Sequence, residues 1–262
     1  MEVHAHSHTP RKKWTHYFWE FLMLFLAVFC GFFAEYQLEH KIEKERAKKY
    51  MYDMVENLKY DTTRYNRNLQ ANMEMGLTLD SFRTAVSAAV KGKIDGNLLY
   101  DLWIKCANFN SVVFNRTAIT QLKNSGSFRL IKNDLLSSSI SDYYERKITA
   151  CEEQEDKLRI TNQQLTSSSA RFFDYEPFDA LLRTENEFGK PLPDSINERM
   201  KYVLNSNPPL VLMNTNPADL KLLYNEIAMK EQAMKEYNSF LRWAKGTADT
   251  LMIQIKEEYH IK

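Results

Sequence analysis

The chain has 262 residues, and its 35 Lys or Arg stand against 34 Asp or Glu, a formal net charge of +1. So balanced a charge excludes a general nucleic-acid binder, which needs a basic footprint; 44% hydrophobic and 26% charged residues exclude a disordered chain. Only 7 residues are Gly, less than half the usual share of about 7%, which argues against phosphate-cradling loops, barrels and tight hairpins.

The first distinctive segment is Phe21–Ala34 (FLMLFLAVFCGFFA), fourteen residues without a charge. A bilayer core needs about twenty, and the flanks supply them. Residues 17–38 would span about 33 Å as a helix. Glu20 and Glu35 lie near the ends of that stretch, where side chains can reach the headgroups. Trp14, Tyr17 and Trp19 before the run and Tyr36 after it have the placement of an interfacial aromatic belt, with Phe21, Leu26 and Phe33 in the apolar body. The reading is an uncleaved single-pass anchor at residues 17–38, preceded by a polar cytoplasmic tail at 1–16. The rivals are a buried core helix, a cleaved signal peptide, for which no small-x-small site follows the run, and a lipoprotein Cys30, which bulky Val28 and Phe29 disfavour. Arg11, Lys12 and Lys13 precede the span, whereas Lys41, Lys44, Arg46, Lys48 and Lys49 follow it. Counted simply, the positive-inside rule does not favour an internal amino terminus, but it loses force for long translocated domains, so composition leaves orientation near even.

From residue 39 to 262 the expectation is one all-α bundle domain. Residues 36–90 contain no Pro, with Gly76 as the one candidate break. Met51, Leu58, Tyr65, Leu79 and Val86 recur at multiples of seven, with Asn72 missing the pattern, and Met54, Val55, Leu69, Met75, Phe82 and Val90 fill companion positions. That is the apolar stripe of a long helix. Its first turns, HKIEKERAKK, are charged almost all round and read as a solvated stalk. Gly92 and Asp95-Gly96 signal a stop. Two short helices are predicted within 95–125, at Leu98–Phe109 and Asn115–Asn124, the second ended by Ser125-Gly126. Asn133 or Asp134 can cap a long helix reaching about Phe173. In it Tyr144, Cys151, Leu158, Leu165 and Phe172 repeat at seven, and Leu136, Ile140, Tyr143 and Ile148 form a second row. Six of seven Pro fall between Pro177 and Pro217, which predicts a connector at 174–216 with one short helix, Asp194–Leu204, and at most a short extended piece at 210–213.

The last predicted helix starts at Pro217 with Asn216 as its cap and runs to about Tyr259. Leu220, Ile227, Met234, Leu241, Ala248 and Ile255 hold six consecutive positions at spacing seven, beside Leu223, Tyr237, Ala244 and Leu251. Three long striped helices satisfy one another best as an elongated antiparallel bundle; a self-associating coiled coil, and hence a homo-oligomer, is the rival.

The six His are His4, His6, His8, His16, His40 and His260, so none lies between residues 41 and 259. The body of the domain then has no imidazole base, no Ser–His or Cys–His pair and no His metal site. Walker, GxGxxG and HExxH patterns are also missing. Cys106 and Cys151, on separate predicted helices, read as buried free thiols. The run Glu152, Glu153, Glu155, Asp156 reads as a solvated face, because carboxylate metal sites in bundles add Glu-x-x-His pairs. His4, His6 and His8 read as a flexible tail, and Tyr143-Tyr144, Phe172-Phe173 and Trp103 as core. No catalytic, cofactor or metal residue is expected.

Residues 117–144, TAITQLKNSGSFRLIKNDLLSSSISDYY, carry Leu122, Ser125-Gly126, Leu130-Ile131, Leu135, Ile140 and Tyr143-Tyr144. This string is similar to a segment of a family of small membrane-anchored proteins of Bacteroidota, a domain of unknown function. The resemblance implies an anchored helical domain with a cytoplasmic amino terminus, and it brings no catalytic residues. The expected function is a non-enzymatic scaffold or interaction module in the bacterial inner membrane. Its bundle is expected in the periplasm, and its partners are the lipid bilayer and a further protein. The alternatives are a sensor of a small molecule or of envelope state, signalling through a partner, and, last, a hydrolase using carboxylates alone.

Overall fold

The computed structural model describes residues 14–176 and 210–261, and these residues are all helix, turn and irregular chain, without a strand. In chain order they form α1 (Trp14–Val90), α2 (Gly96–Cys106), α3 (Thr117–Asn124), a 3-10 turn (Ser127–Leu130), α4 (Asp134–Ser141), a π-helical turn (Asp142–Lys147), α5 (Ile148–Ser169) and α6 (Pro217–Tyr259). The predicted helix Asp194–Leu204 and the His4, His6, His8 tail lie outside the described residues.

The ends follow from local chemistry. Asp95 accepts from the Leu98 N–H, Asn133 from Leu136 and Asn216 from Ala218, each satisfying a first-turn donor. α1 stops at Gly92, whose φ of 81° suits a residue without Cβ. α2 and α3 are shorter than expected, leaving residues 107–116 without helix. Gly76 does not interrupt α1, whose 77 residues extend about 115 Å.

The most extensive contact is α1 with α6, followed by α5 with α6. Arg83 Nε lies 3.1 Å from Glu231, while Asn72 Nδ2 donates to Asn238 Oδ1 at 2.8 Å. Position numbers thus rise along α1 as they fall along α6. The same holds for α5, where Tyr237 donates to Glu155 at 2.9 Å and Lys230 to Asn162 at 2.5 Å. The predicted rows at spacing seven are buried throughout α4–α5 and α6, since a heptad drifts only about 20° around a straight helix. Asn72, the apparent flaw in the α1 row, is 1% exposed and faces Asn238 across the seam.

Two departures matter. The helix from 134 to 169 widens into a π turn at 142–147, and both Tyr143 and Tyr144 end up buried, with rings 4.8 Å apart. The stalk is not solvated all round: Ala47 is buried, and Arg129 reaches Glu43 at 3.2 Å.

Residues 210–213 are irregular chain with a bend at Met213. Met213 N–H donates to Phe172 O at 2.8 Å, and Leu210 N–H to Asn97 Oδ1 at 2.8 Å. This segment lies so close to α2 that a Cβ on Gly96 would stand 1.8 Å from the Leu210 carbonyl oxygen. Gly96→Ala is therefore expected to destabilise the chain by about 1–3 kcal/mol. Gly76→Ala, with nothing within 4 Å of its Cβ, should stabilise it by about 0.5–1 kcal/mol. Thermal melts of both variants check the opposite signs.

Candidate functional site

The leading part of α1 is apolar and unpacked. Trp14, Tyr17, Trp19, Phe21, Leu26, Phe33 and Tyr36 are all exposed, from 47% at Leu26 to 81% at Trp14. Phe21, Phe25, Phe29 and Phe33 stack in sequence at i, i+4 spacing, with centroids 6.1–6.4 Å apart. An 18-residue window here is apolar enough to cross a membrane, and none of it is buried. The apolar face of a core helix would be covered, and here no described residue covers it. A signal sequence passes the same test of length and composition.

The interior holds a second feature, which hydropathy does not announce. Residues 107–116 lie against α1, α5 and α6 as a largely solvent-facing strap with no helix of its own, so the backbone groups it turns inward need partners from elsewhere. Side chains of the three helices supply them. Lys230 donates to the carbonyls of Cys106 and, at 3.2 Å, Asn108, while also holding Asn162. Asn68 donates to Ser111 O at 3.1 Å. Glu155 accepts from Val112 N–H at 3.3 Å and Asp61 from Asn115 N–H at 2.9 Å. The Asn115 side chain reaches Asn57 at 3.0 Å. Val112 itself is buried, and the Phe114 ring packs 5.9 Å from that of Tyr65.

Lys230 is 0% exposed. It occupies the heptad row of Leu223, Tyr237, Ala244 and Leu251, where an apolar residue would be expected. Burial pushes its amine down to about 8, which leaves an ammonium at neutral pH with three hydrogens for three oxygens. Asp61 sits on the α1 stripe between Leu58 and Tyr65, and burial raises its carboxyl to about 6 against the help of the Asn115 N–H and the Tyr143 hydroxyl. The Tyr65 and Tyr143 hydroxyls share a hydrogen bond of 2.9 Å. Burial moves both phenols far upward, so neither ionises near neutral pH. The Tyr144 hydroxyl is buried without a hydrogen-bond partner.

The acidic run is mostly surface: Glu152 pairs with Arg116 at 2.8 Å, Asp156 pairs with Arg159, and Glu153 is exposed. Glu155 departs from the solvated-face reading, being half-buried and bonded to Tyr237 and the strap. Cys106 and Cys151 are free and buried, and burial lifts both thiols to about 12, far from the thiolate that reactive chemistry uses. Among the described residues no three His, Cys, Asp or Glu are grouped to hold a metal ion. Trp103 and Phe173 stack at 4.7 Å in the core.

The chain matches no family model, no curated protein and no solved structure.

Lys230→Met keeps the unbranched stem and removes the donors. It should cost about 3 kcal/mol, because the buried Cys106 carbonyl loses its donor together with the part-buried Asn108 and Asn162 oxygens, as read from the denaturation midpoint of the full chain. Asp61 sets a pH dependence. A carboxyl that titrates higher folded than unfolded stabilises most below its unfolded value of 3.8, and that stability is lost as pH rises through about 6. Melting temperature should therefore fall from pH 4 to 6.5 relative to Asp61→Asn, with the two curves flat against each other above that window. A constant offset from pH 4 upward would contradict the burial of an ionisable Asp61.

Proposed function

We propose that this is a non-enzymatic, single-pass membrane protein. Residues 17–38 cross the bilayer, and the remainder forms an elongated antiparallel bundle that acts as a scaffold or protein-interaction module. The carrying observation is the division of α1. Its apolar window has no buried residue, and Ala47 is the first buried position of the helix. Water does not stabilise so large an exposed apolar surface, whereas lipid does. The 43 residues of α6 extend about 65 Å, which supports a tall body above the anchor.

A scaffold role draws on how the interior is used. Lys230, Asp61 and Glu155 are each bound to the strap rather than converging on an open site. The absence of His from residues 41–259 removes the commonest general base from the body. The resemblance of residues 117–144 to the anchored Bacteroidota family favours the bacterial inner membrane with the bundle in the periplasm. A sensor is the second reading. It draws on the unpartnered Tyr144 hydroxyl in a π turn, a feature often found where helices serve function.

The full chain should remain in the membrane pellet after alkaline carbonate washing. Replacing Leu26 and Phe29 together by Asp should release it, since each charge at a span centre costs about 2.5–3.5 kcal/mol. Wild-type chain in the washed supernatant would overturn the anchor. Cross-linking in intact cells should capture a protein partner through the bundle, and turnover of a specific substrate by the purified chain would overturn the scaffold.

A further inference from the structure

Where α1 leaves the apolar segment, the 3-10 turn and the end of α6 close around it and form a cleft of about 1050 Å³. Five Lys or Arg line it (Lys41, Lys44, Lys48, Arg129 and Lys132) against two Glu, Glu43 and Glu258. The whole chain has a net charge of only +1, so this excess of three positive charges is local. It is also uncommitted. Glu43 is held by Arg129 at 3.2 Å and approached by His40 at 3.8 Å, and Glu258 accepts from Asn133 at 2.9 Å. Lys41, Lys44, Lys48 and Lys132 form no ion pair among the described residues. The spacing i, i+3, i+7 places the first three on one face of α1, the face that lines the cleft.

We propose that this cleft binds the phosphate-bearing headgroup of an anionic phospholipid in the leaflet from which α1 emerges. The inference rests on the anchor reading, which sets the cleft's height. At 1.5 Å per residue, Lys41 and Lys44 lie about 4.5 and 9 Å beyond residue 38. The headgroup layer adds about 5–7 Å to each side of the hydrocarbon, so Lys41 stands at phosphate level, Lys44 just above it with a stem long enough to reach back, and Lys48 higher on the cleft wall. The carbonyl end of α6, a partial negative charge of about one half, also borders the cleft and is outweighed by the excess of three. The half-buried ring of Tyr259 offers an amphipathic wall of the kind favoured at an interface.

The full chain in zwitterionic detergent is titrated with short-chain phosphatidylglycerol, with phosphatidylcholine of equal chain length, and with inorganic phosphate, and binding is read by native mass spectrometry. Saturable binding of phosphatidylglycerol at least tenfold tighter than phosphatidylcholine is expected. Lys41→Gln, Lys44→Gln and Lys132→Gln should each weaken it about fivefold, and the triple variant should lose the preference. Single variants keep the test valid if the triple variant misfolds. Equal affinity for the two lipids, or variants that bind as wild type does, overturns the inference. Displacement by inorganic phosphate at matched concentration assigns the cleft to free phosphate and overturns the lipid source. Flotation of the same chain on pure phosphatidylcholine vesicles separates the two readings. A floating chain without headgroup preference refutes the cleft alone, and a chain that does not float refutes the anchor and the cleft with it.

Discussion

Residues 107–116 are irregular chain laid against three long helices, with Val112 buried and the other nine residues exposed or half-buried, and the backbone groups they turn inward must be satisfied there. An unmet buried donor or acceptor costs about 1–3 kcal/mol. Lys230, Asn68, Glu155 and Asp61 meet that demand from α6, α1 and α5, and Asn57 holds the Asn115 side chain. Each of these bonds ties the strap to a helix distant in sequence, so the strap sets how the helices are arranged about it. The buried charge of Lys230 is tolerable for the same reason, since its three hydrogens have three oxygens.

Beside the strap, polar pairing enters the helix seam itself. Asn68, Asn72 and Asn238 form a chain, with Asn72 donating to both others, in a row that is otherwise apolar. Apolar heptads alone allow one helix to slide past another by whole turns. A polar pair at a single level penalises every shifted alignment, because each would bury the amides apart. The π turn at 142–147 acts on the other helix, turning Tyr143 toward Asp61 and Tyr65 while keeping Tyr144 inside.

α1 joins two regions with different surroundings. From Ala47 onward its buried stripe belongs to the bundle, while the aromatic ladder before it is not covered by any other element among the described residues. The basic cleft lies where those regions meet. Under the proposed anchoring, one rigid helix sets the body's height above the bilayer and carries the charged face that would read the lipid surface. Continuity of α1 through Gly76 leaves no hinge within that helix to decouple the two.

Much of the architecture was legible in the residues: the starts at Asn133 and Asn216, the end of α6 at Tyr259, and the buried rows of α4–α5 and α6. Caps and heptads are local, and a helix expresses them within a turn or two. The apolar window at Phe21–Ala34 was legible for the same reason. What only tertiary structure decided is polar and remote. Lys230 and Cys106 are 124 positions apart, Asn72 and Asn238 166, and Tyr65 and Tyr143 78. Periodicity marks which face of a helix is inside and carries no information about which distant group waits there. Asn72 therefore looked like a flaw and Lys41, Lys44 and Lys48 like a solvated stalk, until the neighbouring elements supplied the amide and the opposite basic wall; nothing in the heptad rows marked Lys230.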